Sequence, residues 1–192
     1  MDLEKEKLQA LHASKKAEYS QMGFSDSGKH LGFVSDEDTT KVQVRPIRLY
    51  YWNEGMETAE VVAGPEREVS GLLPSEYAKV HFSENDSRMY FGLAKPQVLR
   101  DTSLLEEEVV NVEVWTYDEP RLYTVQEIQL KNDSISNFTA AMHLPSRKVL
   151  PLASADYPDI ELGDEGNAPF ALVSTSTPYD LQRQWTGRTT RD

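Results

Sequence analysis

The chain of 192 residues contains no cysteine. Disulfide bonds, thiolate metal ligands and cysteine nucleophiles are therefore excluded. No apolar run approaches the roughly 18 residues that a membrane-spanning helix needs, so we expect no membrane span. The amino-terminal stretch MDLEKEKLQALHASKKAEYS also lacks the apolar core of a secretory signal peptide.

Basic residues are scarce relative to acidic ones. The chain has 20 lysines and arginines against 32 aspartates and glutamates, which gives a formal net charge of −12. Binding to nucleic acid requires a basic face, so we expect no nucleic-acid partner. With 39% hydrophobic and 27% charged residues, the composition is that of a globular protein.

Motifs that would carry catalysis or hold a cofactor are also missing. The four histidines have no metal-ligand spacing, and no glycine-rich phosphate loop is present, so we expect neither a metal nor a cofactor. The closest approach to the nucleophile motif G-x-S-x-G runs from Gly23 to Ser27, but it lacks the second glycine and precedes a predicted strand. We therefore predict that Ser25 is a turn residue.

A repeated hairpin is the most informative feature that the sequence does contain. The stretch FSDSGKHLGFVSDED begins at Phe24, and FSENDSRMYFG begins 58 residues later at Phe82. The two align without gaps and pair Phe24 with Phe82, Ser25 with Ser83, Asp26 with Glu84, Leu31 with Met89, and Phe33 with Phe91. The constant offset predicts one structural unit that is used twice. Asp86 stands where a glycine-containing turn is usual, so we expect the second hairpin to be looser.

Short apolar runs separated by turn residues predict strands after residue 20. The first group is QMGF, HLGFVS, IRLYYW and TAEVVAG. The second is YAKVHFS, RMYFGLA, SNFTAAMHL and KVLPLAS, with a long excursion after RMYFGLA, and a third group opens at DIELGDEG. Residues 2–19 instead have Leu3, Leu8 and Leu11 at rough helical spacing among good helix formers, which predicts a helix.

Successive four-stranded units are typical of propeller blades, each of which must stack on its neighbours to bury its faces. We predict an all-β fold: a partial β-propeller of two to three four-stranded antiparallel blades, with a short N-terminal helix. Residues 1–19 would form a helical lead-in or linker, and 20–192 the propeller segment. The blades would span about 20–75 and 76–155, with an incomplete third from 156. The alternative is two unrelated hairpins in a β-sandwich. Trp52, Trp115 and Trp185 are expected to pack between blades or against the excursion.

These residues resemble the propeller of the prolyl oligopeptidase family of serine peptidases. The resemblance is strongest to secreted members from Bacteroidetes that are similar to dipeptidyl- or acylaminoacyl-peptidases. It is carried by the Phe-Ser hairpin at Phe24, by VEVWTYDEP, and by LGDEGNA followed by PY and QW. Segments of this kind cover nearly the whole chain in the same order.

The resemblance implies a parent in which a propeller shades the active site of an α/β-hydrolase domain with serine, aspartate and histidine in that chain order. Nothing in this chain matches the triad, so no catalytic residue is carried over. The implied role is a non-catalytic segment that gates access of a peptide substrate. Its partners would be the remainder of the propeller and the hydrolase domain. The implied location is periplasmic or secreted.

Substrate anchoring in this family often comes from acidic residues on a propeller insertion. The matching candidates lie on the long excursion: Glu106, Glu107 and Glu108. The simpler explanation of these three residues is a solvated acidic turn or helix start near Leu104. The alternative function is a free-standing acidic, β-rich module that binds a peptide or glycan. Open strand edges also lead us to expect that the chain self-associates or exposes apolar surface.

Overall fold

The computed structural model describes residues 8–14, 16–36, 44–97, 103, 112, 114, 116 and 119–192. Within them, the strands of the first sheet are β1 (Glu18–Phe24), β2 (His30–Asp36), β3 (Ile47–Asn53) and β4 (Glu60–Ala63). They are hydrogen-bonded in the order β1-β2-β3-β4, and each neighbouring pair is antiparallel. The predicted four-stranded meander is confirmed.

The second sheet repeats this order with one change at its first position. Its strands are β5 (Leu73–Pro74), β6 (His81–Phe82), β7 (Arg88–Ala94), β8 (Phe138–His143) and β9 (Lys148–Pro151). The main path is β5-β7-β8-β9, and β6 also pairs with β7. The sequence predicts one strand over residues 77–83, whereas the structure divides that position between β5 and β6. Pro74 cannot donate a ladder hydrogen bond, which favours an early end to β5.

The third group consists of β10 (Asp159–Leu162) and β11 (Ala171–Ser174), which pair antiparallel. A short helix, α2 (Asp180–Thr186), follows β11, and Gly187 ends it in the left-handed conformation at φ 67°. The longer helix α1 (Tyr123–Ser134) lies in the excursion between β7 and β8 and buries none of its residues. The sequence analysis predicted only a long excursion here and did not predict the helix α1.

The core lies between the facing surfaces of the first two sheets. β2 and β7 are buried along almost their whole length. One apolar cluster combines residues of both sheets: Val34, Leu49, Tyr51, Val62, Ala63, Val80, Met89, Phe91, Leu93, Ala140, Met142 and Leu144. Two meanders of the same order, stacked face to face, are the arrangement of propeller blades, and the fold is an all-β partial β-propeller.

Close contact between the sheets depends on glycine at two positions. A Cβ atom on Gly32 would lie 2.6 Å from the Met89 sulfur. A Cβ atom on Gly23 would lie 2.2 Å from the Val80 carbonyl oxygen. Backbone of the first sheet therefore approaches the second more closely than any side chain allows.

The predicted helix over residues 2–19 is wrong for the described part of that range, because residues 8–14, 16 and 17 are not helical and β1 begins at Glu18. Tertiary contacts outweigh helix propensity in this segment. The Gln9 side-chain amide donates to the backbone oxygens of Met56 and Glu57 at 2.9 and 2.8 Å. The Leu11 carbonyl accepts from the Ala59 N–H at 2.8 Å. The segment is thus held extended beside the first sheet.

The three tryptophans differ in their surroundings. Trp52 is half-buried, packs on the Leu31–Phe33–Tyr50 cluster and donates its indole N–H to the Met56 carbonyl at 2.8 Å. Trp185 is 86% exposed, so the expectation that it packs between blades or against the excursion is wrong. It lies on α2, beside the two-stranded third group, which offers no second sheet to cover it. Trp115 lies outside the described residues.

Candidate functional site

The first repeated turn is closed by Ser25 and His30. The Ser25 N–H donates to the His30 carbonyl at 3.0 Å, and the Ser25 hydroxyl oxygen accepts from the His30 N–H at 3.2 Å. The Gly28 N–H donates to the Ser25 carbonyl at 2.9 Å. Gly28 has φ 72°, a left-handed conformation that glycine adopts without steric cost.

The second repeated turn has the same bonds, shifted by the same offset. The Ser83 N–H donates to the Arg88 carbonyl at 3.0 Å, and the Ser83 hydroxyl oxygen accepts from the Arg88 N–H at 3.0 Å. Asp86 takes the place of Gly28, with φ 51°, and its N–H donates to the Ser83 carbonyl at 3.0 Å. The expectation that this hairpin is looser is wrong, because aspartate is among the residues that tolerate the left-handed conformation.

Both repeat serines are structural. Ser25 is 4% exposed and Ser83 is 1% exposed. Each hydroxyl is occupied by the turn, where it bonds backbone N–H groups that would otherwise be buried without a partner. The prediction that Ser25 is a turn residue is confirmed, and its twin at Ser83 has the same role.

A polar cluster links the two sheets beside these turns. His30 Nδ1 and the Tyr51 hydroxyl share a hydrogen bond of 2.6 Å. Arg147, in the turn between β8 and β9, places its guanidinium carbon 4.0 Å from the centre of the Tyr51 ring. An Arg147 nitrogen also lies 2.8 Å from a carboxylate oxygen of Glu60 on β4. One side chain of the second sheet therefore holds two strands of the first.

Burial lowers the pKa of His30 below its ordinary value of 6.5. The nearby carboxylate of Asp86 acts to raise this pKa, while the cations of Arg147 and Lys29 lower it further. The imidazole is therefore held neutral in the folded protein more strongly than in the unfolded chain.

We expect the folded protein to lose stability when the pH falls below about 6.5, the value for an unfolded-chain histidine. Between that value and the lower folded pKa, the unfolded chain binds more protons, so protonation favours unfolding. Urea unfolding at pH values from 8 to 5 measures the effect. His30→Gln should flatten the profile, and His143→Gln is the matched histidine substitution at an exposed position. Identical profiles for wild type and His30→Gln would contradict the assignment.

An acidic cavity opens where the repeated turns meet the loop between β10 and β11. It has a volume of about 390 Å³ and is lined by Asp26, His81, Phe82, Glu84, Leu162, Glu165 and Gly166. We call it the acidic mouth. Its three carboxylates come from three separate units, namely the first turn, the second turn and the third-group loop. The concentration of negative charge favours a cationic group, which carboxylates bind through charge-assisted hydrogen bonds.

The third-group loop is fixed firmly to the second sheet at the acidic mouth. The Asn167 side chain donates to Glu84 Oε2 at 3.0 Å and accepts from the Asn85 N–H at 2.9 Å. The Tyr90 hydroxyl donates to the Gly166 carbonyl at 2.8 Å. Arg88 donates to the same carbonyl at 2.8 Å and to that of Ala168 at 3.0 Å. These bonds hold Glu165 at the rim in a left-handed conformation, φ 49°.

The substrate-anchor candidates named from the sequence, Glu106, Glu107 and Glu108, lie outside the described residues. The mouth residues were missed, although the gapless alignment already paired Asp26 with Glu84. Glu165 carries no such signal, because the third group does not repeat the Phe-Ser turn. Within the described residues, no three histidine, aspartate or glutamate side chains are arranged to hold a metal ion.

The remaining histidines make local contacts. His12 Nδ1 lies 2.9 Å from the Tyr19 hydroxyl, and the His81 ring stacks on Tyr90 with centroids 5.2 Å apart. His143 Nδ1 lies 2.9 Å from the Ser146 hydroxyl oxygen, three residues along the same turn. A catalytic pair would need a carboxylate that orients the imidazole, and no carboxylate bonds His143 in the part of the chain that the structure describes.

Comparison with known proteins adds little to this geometry. No protein-family model matches the chain, and no curated protein matches it. The crystal structure of TolB from Acinetobacter baumannii aligns with a TM-score of 0.38 and 14% sequence identity, over 82% of this chain and 29% of that one. The chain thus spans less than a third of the length of that structure. None of the helices in the described ranges could span a membrane. The assignment of the fold rests on the strand order and the stacked sheets.

Proposed function

We propose that the chain is a non-catalytic β-propeller segment that gates access of peptides to the α/β-hydrolase domain of a serine peptidase. The proposal joins the sequence resemblance to the prolyl oligopeptidase family with the propeller-like stacking of the two sheets. The resemblance also underlies a proposed periplasmic or extracellular location. The hydrolase domain and the remaining blades are the proposed partners.

The main observation in support of this proposal is that both repeat serines have a structural role. The position most similar to a nucleophile motif, Ser25, is buried and bonded within a turn, and Ser83 repeats the arrangement. A residue that must stay in a turn to close a hairpin cannot attack a carbonyl carbon. The structural role of these serines supports a framing function for the repeat, with the chemistry assigned in this proposal to the hydrolase domain.

The acidic mouth suggests how such a frame would act on peptides. Its carboxylates are exposed, so their attraction for a cation acts through solvent and weakens with salt. Positively charged peptide ends would be enriched near the mouth before they reach the catalytic domain. Folded proteins are too large for a cavity of about 390 Å³ and would be kept out.

We expect the 192-residue chain to release no product from dipeptidyl, acylaminoacyl or ester chromogenic substrates. It should also remain unlabelled by a fluorophosphonate probe, because the repeat serines are buried and hydrogen-bonded. Turnover that the probe abolishes would overturn the proposal. Ser146→Ala and Ser25→Ala variants would then locate the responsible serine, since the Ser146 hydroxyl lies 2.9 Å from an imidazole nitrogen of His143, whereas the Ser25 hydroxyl bonds the backbone N–H of His30.

A second candidate function is a binding module for peptides. The observation in its favour is that all three carboxylates of the acidic mouth belong to this one chain. Titration of the isolated chain with a lysine-terminated peptide distinguishes the two. Saturable binding that Glu84→Gln weakens and an acetylated peptide lacks would favour a self-sufficient module, whereas weak, salt-sensitive association fits the gating role.

A further inference from the structure

We infer that the outer edge of β11 is a docking site for an added antiparallel strand, in a register set by the backbone pair between Thr175 and Asp192. The occupant we assign is an extended, uncharged segment with branched aliphatic side chains at alternate positions. The inference rests on the geometry of this edge and does not depend on the peptidase proposal.

The backbone pair fixes which edge is available. The Thr175 N–H donates to the Asp192 carbonyl, and the Asp192 N–H donates to the Thr175 carbonyl, both at 3.0 Å. This mutual pair is the hydrogen-bonded unit of an antiparallel ladder. Successive residues of a strand direct their N–H and C=O groups to opposite edges, so Ala171 and Val173 share the edge of Thr175. Leu172 and Ser174 face β10.

Side-chain contacts fix Arg191 and Asp192 at the point where the added strand would begin. The Tyr179 hydroxyl donates to Asp192 Oδ1 at 2.7 Å, and an Arg191 nitrogen lies 3.8 Å from Asp159 Oδ2. Consider an antiparallel strand that continues the line of Asp192 along β11. The second residue after Asp192 would lie opposite Val173, and the fourth would lie opposite Ala171. Asp192 thus forms the first hydrogen-bonded pair of a ladder along this edge. In the described part of the chain, no strand lies opposite the next two pairing positions, Val173 and Ala171.

The two complete sheets show what such a position normally looks like. β2 and β7 are each paired on both edges and are almost wholly buried. β11 is likewise the second strand of its group, yet among the described strands it has a partner on one edge alone, and Leu172 is 65% exposed. The difference corresponds to the neighbour that β3 supplies to β2 and β8 supplies to β7.

The edge of β11 also lacks the devices that keep other edges from pairing. β1 has a register shift between Ser20 and Gly23, and β9 carries Lys148 and Pro151. Irregularity, lysine and proline are all means by which edge strands avoid addition of a further strand. β11, with the sequence Ala-Leu-Val-Ser, has none of them.

An apolar groove lies where the side chains of the added strand would go. It has a volume of about 380 Å³ between the outer part of the second sheet and the third group, and its walls include Ala141, Leu150, Leu152, Leu162, Phe170 and Ala171. In the first two sheets, Leu49 and Tyr51 on β3 pack with Ala140 and Met142 on β8. A third strand beside β11 would cover β8 and β9 in the same way, which calls for aliphatic side chains.

A second copy of the chain fits this edge poorly. Asp192 already occupies the edge at Thr175, so two antiparallel β11 strands could pair only from Ala171 to Val173. Such a ladder is shorter than any two-sided strand in the first two sheets. The docking of a separate strand in the Asp192 register has no such obstruction.

The test extends the full chain after Asp192 by the hexapeptide Thr-Val-Thr-Val-Thr-Val and follows amide hydrogen exchange. In the unextended chain, we expect fast exchange at Ala171 and Val173 and slow exchange at Leu172 and Ser174. The extension should slow Ala171 and Val173 at least tenfold and raise the melting temperature. Proline at the second and fourth added residues should abolish this protection, because those N–H groups point to β11. Proline at the first and third, whose N–H groups point away, should preserve it.

Three results would overturn the inference. The first is unchanged exchange at Ala171 and Val173 after extension. The second is equal protection in both proline variants, which would indicate non-specific collapse. The third is protection in the unextended chain that rises with protein concentration, which would make a second copy the occupant. None of these measurements depends on turnover, so failure here is distinct from failure of the peptidase proposal.

Discussion

Replacement of Met89 by alanine is expected to lower the free energy of unfolding by about 2–5 kcal/mol, the usual cost of such a truncation in a core. Met89 is 0% exposed and lies in the cluster shared by both sheets. Its sulfur lies directly over Gly32, 2.6 Å from where a Cβ atom at that position would be. The truncation would therefore leave a cavity between the sheets.

Urea unfolding monitored by circular dichroism measures this loss. Met22→Ala is the matched control, because Met22 lies on β1 and is 67% exposed. It should change the free energy of unfolding by less than about 0.5 kcal/mol, as surface substitutions usually do. Equal effects of the two substitutions would show that the sheets do not pack at Met89.

Gly23→Ala is expected to cost about 1–3 kcal/mol, the typical penalty for overpacking. The new Cβ would lie 2.2 Å from the Val80 carbonyl oxygen, and that oxygen cannot turn aside as a flexible side chain would. The strand β1 must move away from the second sheet, and contacts on both sides of Gly23 weaken.

Thermal unfolding of Gly23→Ala should be compared with that of Gly163→Ala. Gly163 has extended backbone, with φ −80°, and its added Cβ would lie 3.2 Å from the Ala168 Cβ. That control should cost less than about 1 kcal/mol, because a methyl neighbour can shift by a few tenths of an ångström. A larger loss at Gly163 than at Gly23 would contradict the close approach of the sheets.

The repeated hairpins could be predicted from sequence because their signals are local. Phe, Ser and an acidic residue precede a turn, and apolar residues follow at fixed spacing. The gapless alignment predicted one structural unit used twice, and the structure shows the same serine-to-backbone bond in both turns, at Ser25 and Ser83. The exception, Asp86, was expected to weaken the turn, and the backbone shows that it adopts the conformation of Gly28.

The amino-terminal segment could not be predicted from the same signals. Leucine, lysine, glutamate and alanine favour a helix in isolation, and their pattern contains no information about Met56 or Ala59, more than forty residues away. Bonds from Gln9 and Leu11 to that distant backbone decide the conformation of the segment. Propensity is a weak preference that a few tertiary hydrogen bonds override.

The acidic mouth was unpredictable for a similar reason. Asp26, Glu84 and Glu165 are separated by 58 and 81 positions in the sequence. Only the stacking of the sheets and the bonds from Asn167 and Arg88 bring them to one cavity. The repeat pairs Asp26 with Glu84 and could have indicated those two residues. Glu165 lies in the loop between β10 and β11, which has no equivalent in the repeat.

The shared core has a consequence for folding during synthesis. The apolar face of β2 to β4 is covered by β7 and β8, and β8 ends at His143, ninety residues after β3 ends at Asn53. At about 5–20 residues per second, a ribosome needs roughly 5–20 s to supply that cover. The excursion that separates β7 from β8 accounts for nearly half of this interval. During these seconds Val34, Leu49 and Tyr51 face water. We therefore expect a nascent chain of this length to be bound by a chaperone that recognises exposed apolar strands.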